Sequence, residues 1–355
     1  MRGEENLKFK RRGDVIKPYF PAEWVTQSGV LLTWPNASNV WEPSLSAIDD
    51  IFIQIAKTIA RFEKVIISCC SKEHLQHVQQ LLTPKSANIF LYVVPSHDVW
   101  ARDHGPITIY ENNQPKILDF TFNGWGQKYP FEEDNKITAA LYQQGAFGNT
   151  PLRPIPFVLE GGSIECDGKG TVLTTSRCLL SPMRNPQDDR EDITRKLQSW
   201  LGIERVLWLD HGYIAGDDTD GHIDTLARFI NPETICYVQC DDPNDEHYES
   251  LQKMAKQLQS FTTQAGKPYR LVPLPWPKAK FNDEGKRLPA TYANFLIINQ
   301  AVLMPTYDDS KDAEALNCLQ EYFLDHEVIG IACQHLINQL GSLHCVTMQL
   351  PEGVV

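Results

Sequence analysis

Four stretches of the 355-residue chain collect residues that a plain strand or turn does not need: "DVWARDHGP", "VLEGGSIECDGKG", "GDDTDGHIDTLARF" and the terminal "GSLHCVTMQLP". The first sets Asp103 after Trp100 and Arg102 and before Gly105-Pro106, a turn able to fix a carboxylate at a strand end. The second ends an apolar run on Glu160 and follows it with two glycines, so the backbone can turn sharply while the carboxylate stays near the sheet. In the third, His222 and Asp224 lie two apart and would share one side of an extended segment, presenting a base and an anion to one ligand. The fourth carries Cys345, ten residues before the C-terminus, beside His344. Each stretch also has an ordinary reading: a surface Arg/Asp turn, a hairpin acid, an acidic loop that takes in Asp217, Asp218 and Asp220, and a buried thiol. Together, one cysteine, one histidine and several carboxylates suggest nucleophilic catalysis on a cation. A lone thiol has a pKa near ~8.5 and carboxylates push it higher, so a thiolate here needs protonated His222 or a bound cation beside it.

The acidic loop also raises metal binding. With Gly221 as the obligatory glycine of an EF-hand, Asp218 and Asp220 fall at ligand positions, but Gly216 stands at the first and Ala227 at the last. His222, Asp224 and Asp103 could ligate a catalytic metal, yet no H-E-x-x-H or comparable spacing supports it. The nine cysteines are scattered and lack the paired spacing of a structural zinc site. Most lie in apolar runs such as "KVIISCC", "TICYVQC" and "IGIACQHL", where a thiol packs as a small hydrophobe.

The elements that must position these residues repeat. Five times an apolar strand is followed by a polar loop, an amphipathic helix and a second apolar strand. The first unit runs "GVLLTW", a helix entered at Pro43 and Ser44 with Leu45, Ile48, Phe52, Ile55 and Ile59 on one face, then "KVIISCC". The second has "KILDFTF", a short helix with Ile137, Ala140 and Leu141, and "LRPIPFV". The third has "TVLTTS" and "CLLSP", a helix start at Asn185-Pro186, a face of Ile193, Leu197, Trp200 and Leu201, Gly202 as a stop, and "RVLWLD". The fourth has "TICYVQC", Tyr248, Leu251, Met254 and Leu258, and "YRLVPLP". The fifth has "NFLIINQAVLMP", Leu316, Leu319 and Phe323, and "EVIGIAC". Open repeats would need caps at both ends, so five units favour closure around an axis over an open α/β sheet.

No linker or low-complexity tract divides the chain, and 42% hydrophobic content supports one large core, so residues 1–355 read as a single domain. A net charge of -12 leaves no basic face for nucleic acid and suits a small cationic ligand. The opening "MRGEENLKFKRRGD" lacks the apolar core of a secretion signal, and no apolar run reaches the roughly 18 residues of a membrane span. The expected location is the cytoplasm, with no membrane partner and with self-association left open.

The chain resembles the agmatine deiminase and bacterial peptidyl-arginine deiminase family of the guanidino-group-modifying (pentein) superfamily. The likeness runs from "PAEWVTQSGVLLTWP" through "WARDHGP", "FNGWGQKY", "LEGGS", "TDGHID" and "ANF" to "LHCVTMQLP". It implies a five-bladed pseudo-symmetric α/β propeller with an axial site. It also implies Cys345 as nucleophile, His222 as proton donor and then base, Asp103 and Asp224 as guanidinium acceptors, and Glu160 as a further catalytic acid. Trp100, Asp220 and Asn294 are expected around the substrate. Where strict agmatine deiminases carry a glycine run and Asn-Ile before the His-Cys pair, this chain has Leu340, Gly341, Ser342 and Leu343. The resemblance implies no metal or organic cofactor, and the expected reaction is hydrolytic deimination of a guanidinium compound, agmatine first, giving N-carbamoylputrescine and ammonia. The departure keeps peptidyl-arginine and free arginine open as substrates, with amidino transfer to an amine and then a non-enzymatic metal- or calcium-binding module as further alternatives.

Overall fold

The computed structural model describes residues 17–37, 41, 44–84 and 86–355. The charged opening run and Pro43, expected at the entry to the first helix, lie outside the described residues.

All five units form sheets with the same wiring. In each, a middle strand pairs antiparallel with one neighbour and parallel with a strand reached through a helix. Hairpin partners need only a short turn, whereas parallel partners need a long crossover, so the wiring follows from where the helices fall. The strands are Ile107–Glu111, Gln114–Thr121 and Leu152–Val158 in one sheet. Ile164–Cys166, Thr171–Thr175 and Arg205–Leu209 form the next. Ala227–Asn231, Thr234–Val238 and Arg270–Leu274 follow, then Leu296–Ile298, Ala301–Thr306 and Glu327–Ala332. The remaining sheet closes the chain on itself. Its middle strand, Gln27–Thr33, takes its antiparallel partner from the far end of the sequence, Thr347–Pro351, and its parallel partner from Lys64–Cys69. The architecture is mixed α/β.

The helices bury the faces their spacing sets. Leu45–Ile59 buries Ile48, Phe52, Ile55 and Ile59, each worth about 1.5–3 kcal/mol. Arg190–Leu201 buries Ile193, Leu197 and Leu201 and stops at Gly202, which has φ 69°, a left-handed conformation that costs glycine little. Ile137–Gln143 buries Ile137 and Leu141, and Tyr248–Ser260 buries Leu251, Met254 and Leu258. Among the described residues no helix is long and apolar enough to cross a membrane.

Four local expectations are corrected. The third helix starts at Arg190, not at Asn185-Pro186, because Asp189 and Asp192 form a reciprocal capping box there. Asn185 instead bridges the N–H and C=O of Val158 at 3.0 and 2.9 Å. The run "NFLIINQAVLMP" folds into a hairpin, turning where Gln300 adopts φ 62°. Phe323 lies beyond the last helix, Asp312–Gln320, though it is still buried. A helix at Lys72–Leu81 and a fourth strand at Ile89–Val93 extend the closing sheet beyond the five-unit pattern.

Candidate functional site

Cys345 sits in the lead-in to the C-terminal strand and is held by three other segments. Asn294 Oδ1 accepts from the His344 N–H at 2.9 Å and lies 3.4 Å from Cys345 Sγ. The Arg102 N–H donates to the Cys345 carbonyl at 3.1 Å. Ser342, just upstream, is bonded to the Tyr307 hydroxyl at 2.9 Å. These contacts fix a thiol that is only 5% exposed.

Asp103 stands on a buried one-turn helix, Ala101–His104, rather than on a surface turn. Its Oδ1 accepts from the Gly162 N–H at 3.1 Å and its Oδ2 from the Trp125 indole N–H at 2.9 Å. Trp125 has φ 54° inside the turn Gly124–Gln127. That conformation is unfavourable for a bulky residue and is held here by the indole bond and by edge packing on Phe122 and Tyr129.

His222 and Asp224 are not on an extended segment. His222 caps the start of a single 3-10 turn, Ile223–Thr225, and Asp224 lies within it, the Thr225 hydroxyl donating to the His222 carbonyl at 2.8 Å. Both still reach the site. His222 Nδ1 is 3.6 Å from Asp103 Oδ1, and Asp224 Oδ2 is 3.9 Å from Cys345 Sγ. A Cβ added to Gly162 would fall 2.6 Å from His222 Nδ1, 2.9 Å from Asp103 Oδ1 and 3.0 Å from Asp224 Oδ2. The second glycine of "LEGG" is therefore required by the space in front of three functional groups, not by a sharp turn.

Burial sets the charge states. It raises Asp103 to about 6, with His222 opposing and Asp224 adding to the rise. For His222 burial works downward, but the Asp103 carboxylate outweighs it and holds the imidazole well above its usual range. Burial, then Asp224 and Asp103, push the Cys345 thiol well up. Asp224 is held low despite burial, chiefly by His344 at 2.8 Å, and its Oδ1 has no hydrogen-bond partner among the described residues. Burial and these neighbours thus favour a neutral thiol and a protonated imidazole.

Glu160 is fully buried and clasped by Arg184, whose Nε lies 2.8 and 3.0 Å from the two carboxylate oxygens. The same guanidinium bonds Asp220 at 2.6 Å and the Thr219 carbonyl at 2.8 Å. Asp220 also takes Lys128 at 2.8 Å, so its carboxylate anchors the loop instead of lining the pocket. The loop acids have protein donors: Asp217 accepts from the Thr219 and Gly221 N–H groups, and Asp218 from the Tyr129 hydroxyl. Glu160, Cys178 and His222 bring one ligand atom each within 4.8 Å of one another, but Arg184 occupies the carboxylate that a metal would need. Trp100 is buried against Trp41, with ring centroids 6.0 Å apart, and leaves no room for a Cβ on Gly341.

Asp103, Cys345 and Trp100 open into one pocket, whose lining adds Trp125, Tyr129 and Thr225. The same lining holds the acids Asp98, Asp217 and Asp218 and the segment Gln339, Leu340 and Gly341. Of the residues that depart from the family pattern before the His-Cys pair, Leu340 and Gly341 line this pocket, whereas Ser342 and Leu343 are buried beside it in the chain.

The family model of the Porphyromonas-type peptidyl-arginine deiminases matches residues 19–351, spanning every segment of this site. The chain belongs to that family. A Porphyromonas gingivalis structure provisionally assigned as an arginine deiminase shares 48% identity, with TM-score 0.91 over 96% of this chain and 100% of its own. The C. jejuni agmatine deiminase with substrate bound shares 36%, with TM-score 0.88 over 99% and 100%. The agmatine deiminase of Stutzerimonas stutzeri is 32% identical over 95% of this chain and 96% of its own length.

Within this family site, several contributors were not singled out from the sequence. Arg184 and Cys178 stand in "TSRCLLSPMRNP", which reads as a helix approach. Trp125 lies in a quoted motif, but nothing local marks its indole as a carboxylate donor. Glu23, Arg102 and Arg228 are charged residues inside apolar contexts, "PAEWV", "VWARD" and "LARF". That placement is their only local signal, since charges are rarely buried unpaired.

Proposed function

We propose that the protein hydrolyses agmatine to N-carbamoylputrescine and ammonia, its five sheets standing as blades around an axis that carries the site. The observation that bears the reading is the convergence of Cys345, His222, Asp103 and Asp224, with Cys345 and Asp103 lining a pocket that also holds Asp98, Asp217 and Asp218. Agmatine carries a guanidinium at one end and an ammonium at the other. The first suits the paired carboxylates inside, by charge-assisted bonds to a planar cation. The second suits Asp98, Asp217 and Asp218, where the α-carboxylate of free arginine would be repelled.

Chemistry begins when the substrate's charge offsets Asp103 and Asp224 and lets Cys345 release its proton to solvent, since His222 already carries one. The thiolate attacks the guanidinium carbon, and the C–N bond breaks as His222 gives its proton to the departing ammonia. His222 is then neutral and accepts a proton from the water that attacks the amidino-thioether carbon. The C–S bond breaks, the thiol is regenerated and the ureido product leaves. Glu160, held by Arg184, keeps negative charge close to His222. Asn294 supports the cysteine loop and Trp100 walls the pocket.

Incubating the protein with agmatine, arginine and a blocked arginyl peptide, and measuring ammonia and ureido product, tests the reading. Turnover of agmatine first is expected. Preference for the peptide would move the assignment to peptidyl-arginine, and no turnover of any of the three would refute deimination.

A further inference from the structure

Behind Asp224 lies a chain of buried groups that the reaction above does not use. His344 Nδ1 is 2.8 Å from Asp224 Oδ2, and its Nε2 is 2.8 Å from Glu23 Oε2. Glu23 comes from the segment before the first strand and also accepts from the Ile297 N–H at 2.7 Å. Arg228 holds the same Glu23 oxygen at 2.9 Å and also bonds Glu165. Arg102 Nη2 approaches Glu23 at 3.7 Å. Glu23, His344, Arg102 and Glu165 line a second cavity that shares no lining residue with the substrate pocket.

Both ring nitrogens of His344 face carboxylate oxygens at hydrogen-bond distance. An ionised carboxylate can only accept, so a neutral ring would set one lone pair against another. Two protons must therefore be shared along the chain. For Glu23 and Asp224, burial favours the protonated form, but Arg228 and His344 outweigh it for the first and His344 for the second, and both are held low. Burial, Arg102 and Arg228 lower the ring's proton affinity, but Arg228 at 2.9 Å and the Ile297 N–H at 2.7 Å already donate to Glu23. A second proton on the ring is the arrangement that leaves Asp224 an anion for the substrate cation.

We propose that Glu23 and His344 are positioning residues: a charged imidazole held by Glu23 fixes Oδ2 of Asp224 and leaves Oδ1, which has no partner among the described residues, for the substrate cation. The role resembles that of the outer partners that orient metal-ligating or catalytic side chains, whose loss costs about 10- to 100-fold. The inference rests on the deiminase reading for its substrate but not for its structure.

The test has an arm independent of activity. Nitrogen NMR of the histidine rings at neutral pH, with the His344 signal identified by its loss in His344→Gln, is expected to show an imidazolium. In Glu23→Gln, the signal is expected to become that of a neutral ring. The second arm measures agmatine binding in a Cys345→Ala background and kcat/KM in the active enzyme. Glu23→Gln and His344→Gln are each expected to weaken both by about 10- to 100-fold, with Glu23→Asp recovering part of the loss. Should Glu23→Gln fail to fold, His344→Gln carries the test, because it leaves Glu23 paired with Arg228. A neutral His344 in the wild-type protein overturns the proposal, and so does folded His344→Gln with affinity and kcat/KM within about threefold of wild type. If wild type binds and turns over no agmatine, the substrate reading has failed and the NMR arm alone decides the proposal.

Discussion

Replacing Gly162 with alanine adds one methyl group at the point where the site has least room. Its Cβ would lie 2.6 Å from His222 Nδ1, and this must open to the 3.4 Å of ordinary contact, a shift of about 0.8 Å. Asp103 Oδ1 and Asp224 Oδ2, at 2.9 and 3.0 Å, must retreat by about half as much. All three groups are buried, so they cannot swing into solvent. The backbone itself does not forbid alanine, because Gly162 is not among the glycines with positive φ. A misplacement of about 1 Å in a reacting constellation costs about 100-fold in rate, equivalent to about 2.7 kcal/mol of transition-state stabilisation. Overpacking costs stability too, about 1–3 kcal/mol. The assay is kcat/KM for agmatine alongside chemical denaturation. Gly330→Ala is the control: its Cβ meets the Thr306 methyl at 3.1 Å on a strand that carries none of the site residues, so it is expected to lose stability without losing rate. Folded Gly162→Ala enzyme with kcat/KM within about fivefold of wild type would refute the geometry.

Cys345→Ala is expected to fold with a melting temperature close to wild type and to lose all turnover; an active but less stable variant would mark the thiol as merely structural. Asp103, raised to about 6 by burial, must be ionised to bind the cation, so kcat/KM is expected to fall about tenfold per unit as pH drops below about 6; a flat profile down to pH 5 contradicts this. The stability effect of the same group runs the other way. The folded state keeps a proton that the unfolded carboxyl releases near 3.8, so the contribution is greatest at acid pH and is lost as pH rises through about 6. Arg184→Met strands the fully buried Glu160 carboxylate and is expected to cost about 3–5 kcal/mol in denaturation, with Glu160→Gln added to it restoring part; a loss below about 1 kcal/mol would show the clasp to be dispensable.

The helix faces were legible because their cause is local: residues three and four apart share a side whatever the rest of the chain does. Gly202 was legible as a stop for the same reason. Asn185-Pro186 misled because it carries a start signal, while the stronger signal, the Asp189–Asp192 box, stands a few residues later. The hairpin inside "NFLIINQAVLMP" was hidden because an apolar run reads alike whether it is one strand or two. Among the site residues, Cys345, His222, Asp103 and Asp224 meet in one site. Asp220, indistinguishable from Asp218 by type and setting, turns instead to Arg184 and Lys128.

By itself the sequence determined the repeated strand–helix–strand order, the faces those helices bury and the residue types available for thiol chemistry on a cation. All of these depend on short-range periodicity, caps and composition. Only the tertiary structure decided that Thr347–Pro351 pairs with Gln27–Thr33, that Arg184 clasps Glu160, and that Glu23 stands behind His344 and Asp224. Those contacts join segments far apart in the chain, and their geometry is set by the packing of sheets. Charge state belongs to the same category. A thiol, an imidazole and two carboxyls have ordinary proton affinities in a chain, and the burial they share after folding pushes the thiol up while the neighbouring carboxylate raises the imidazole.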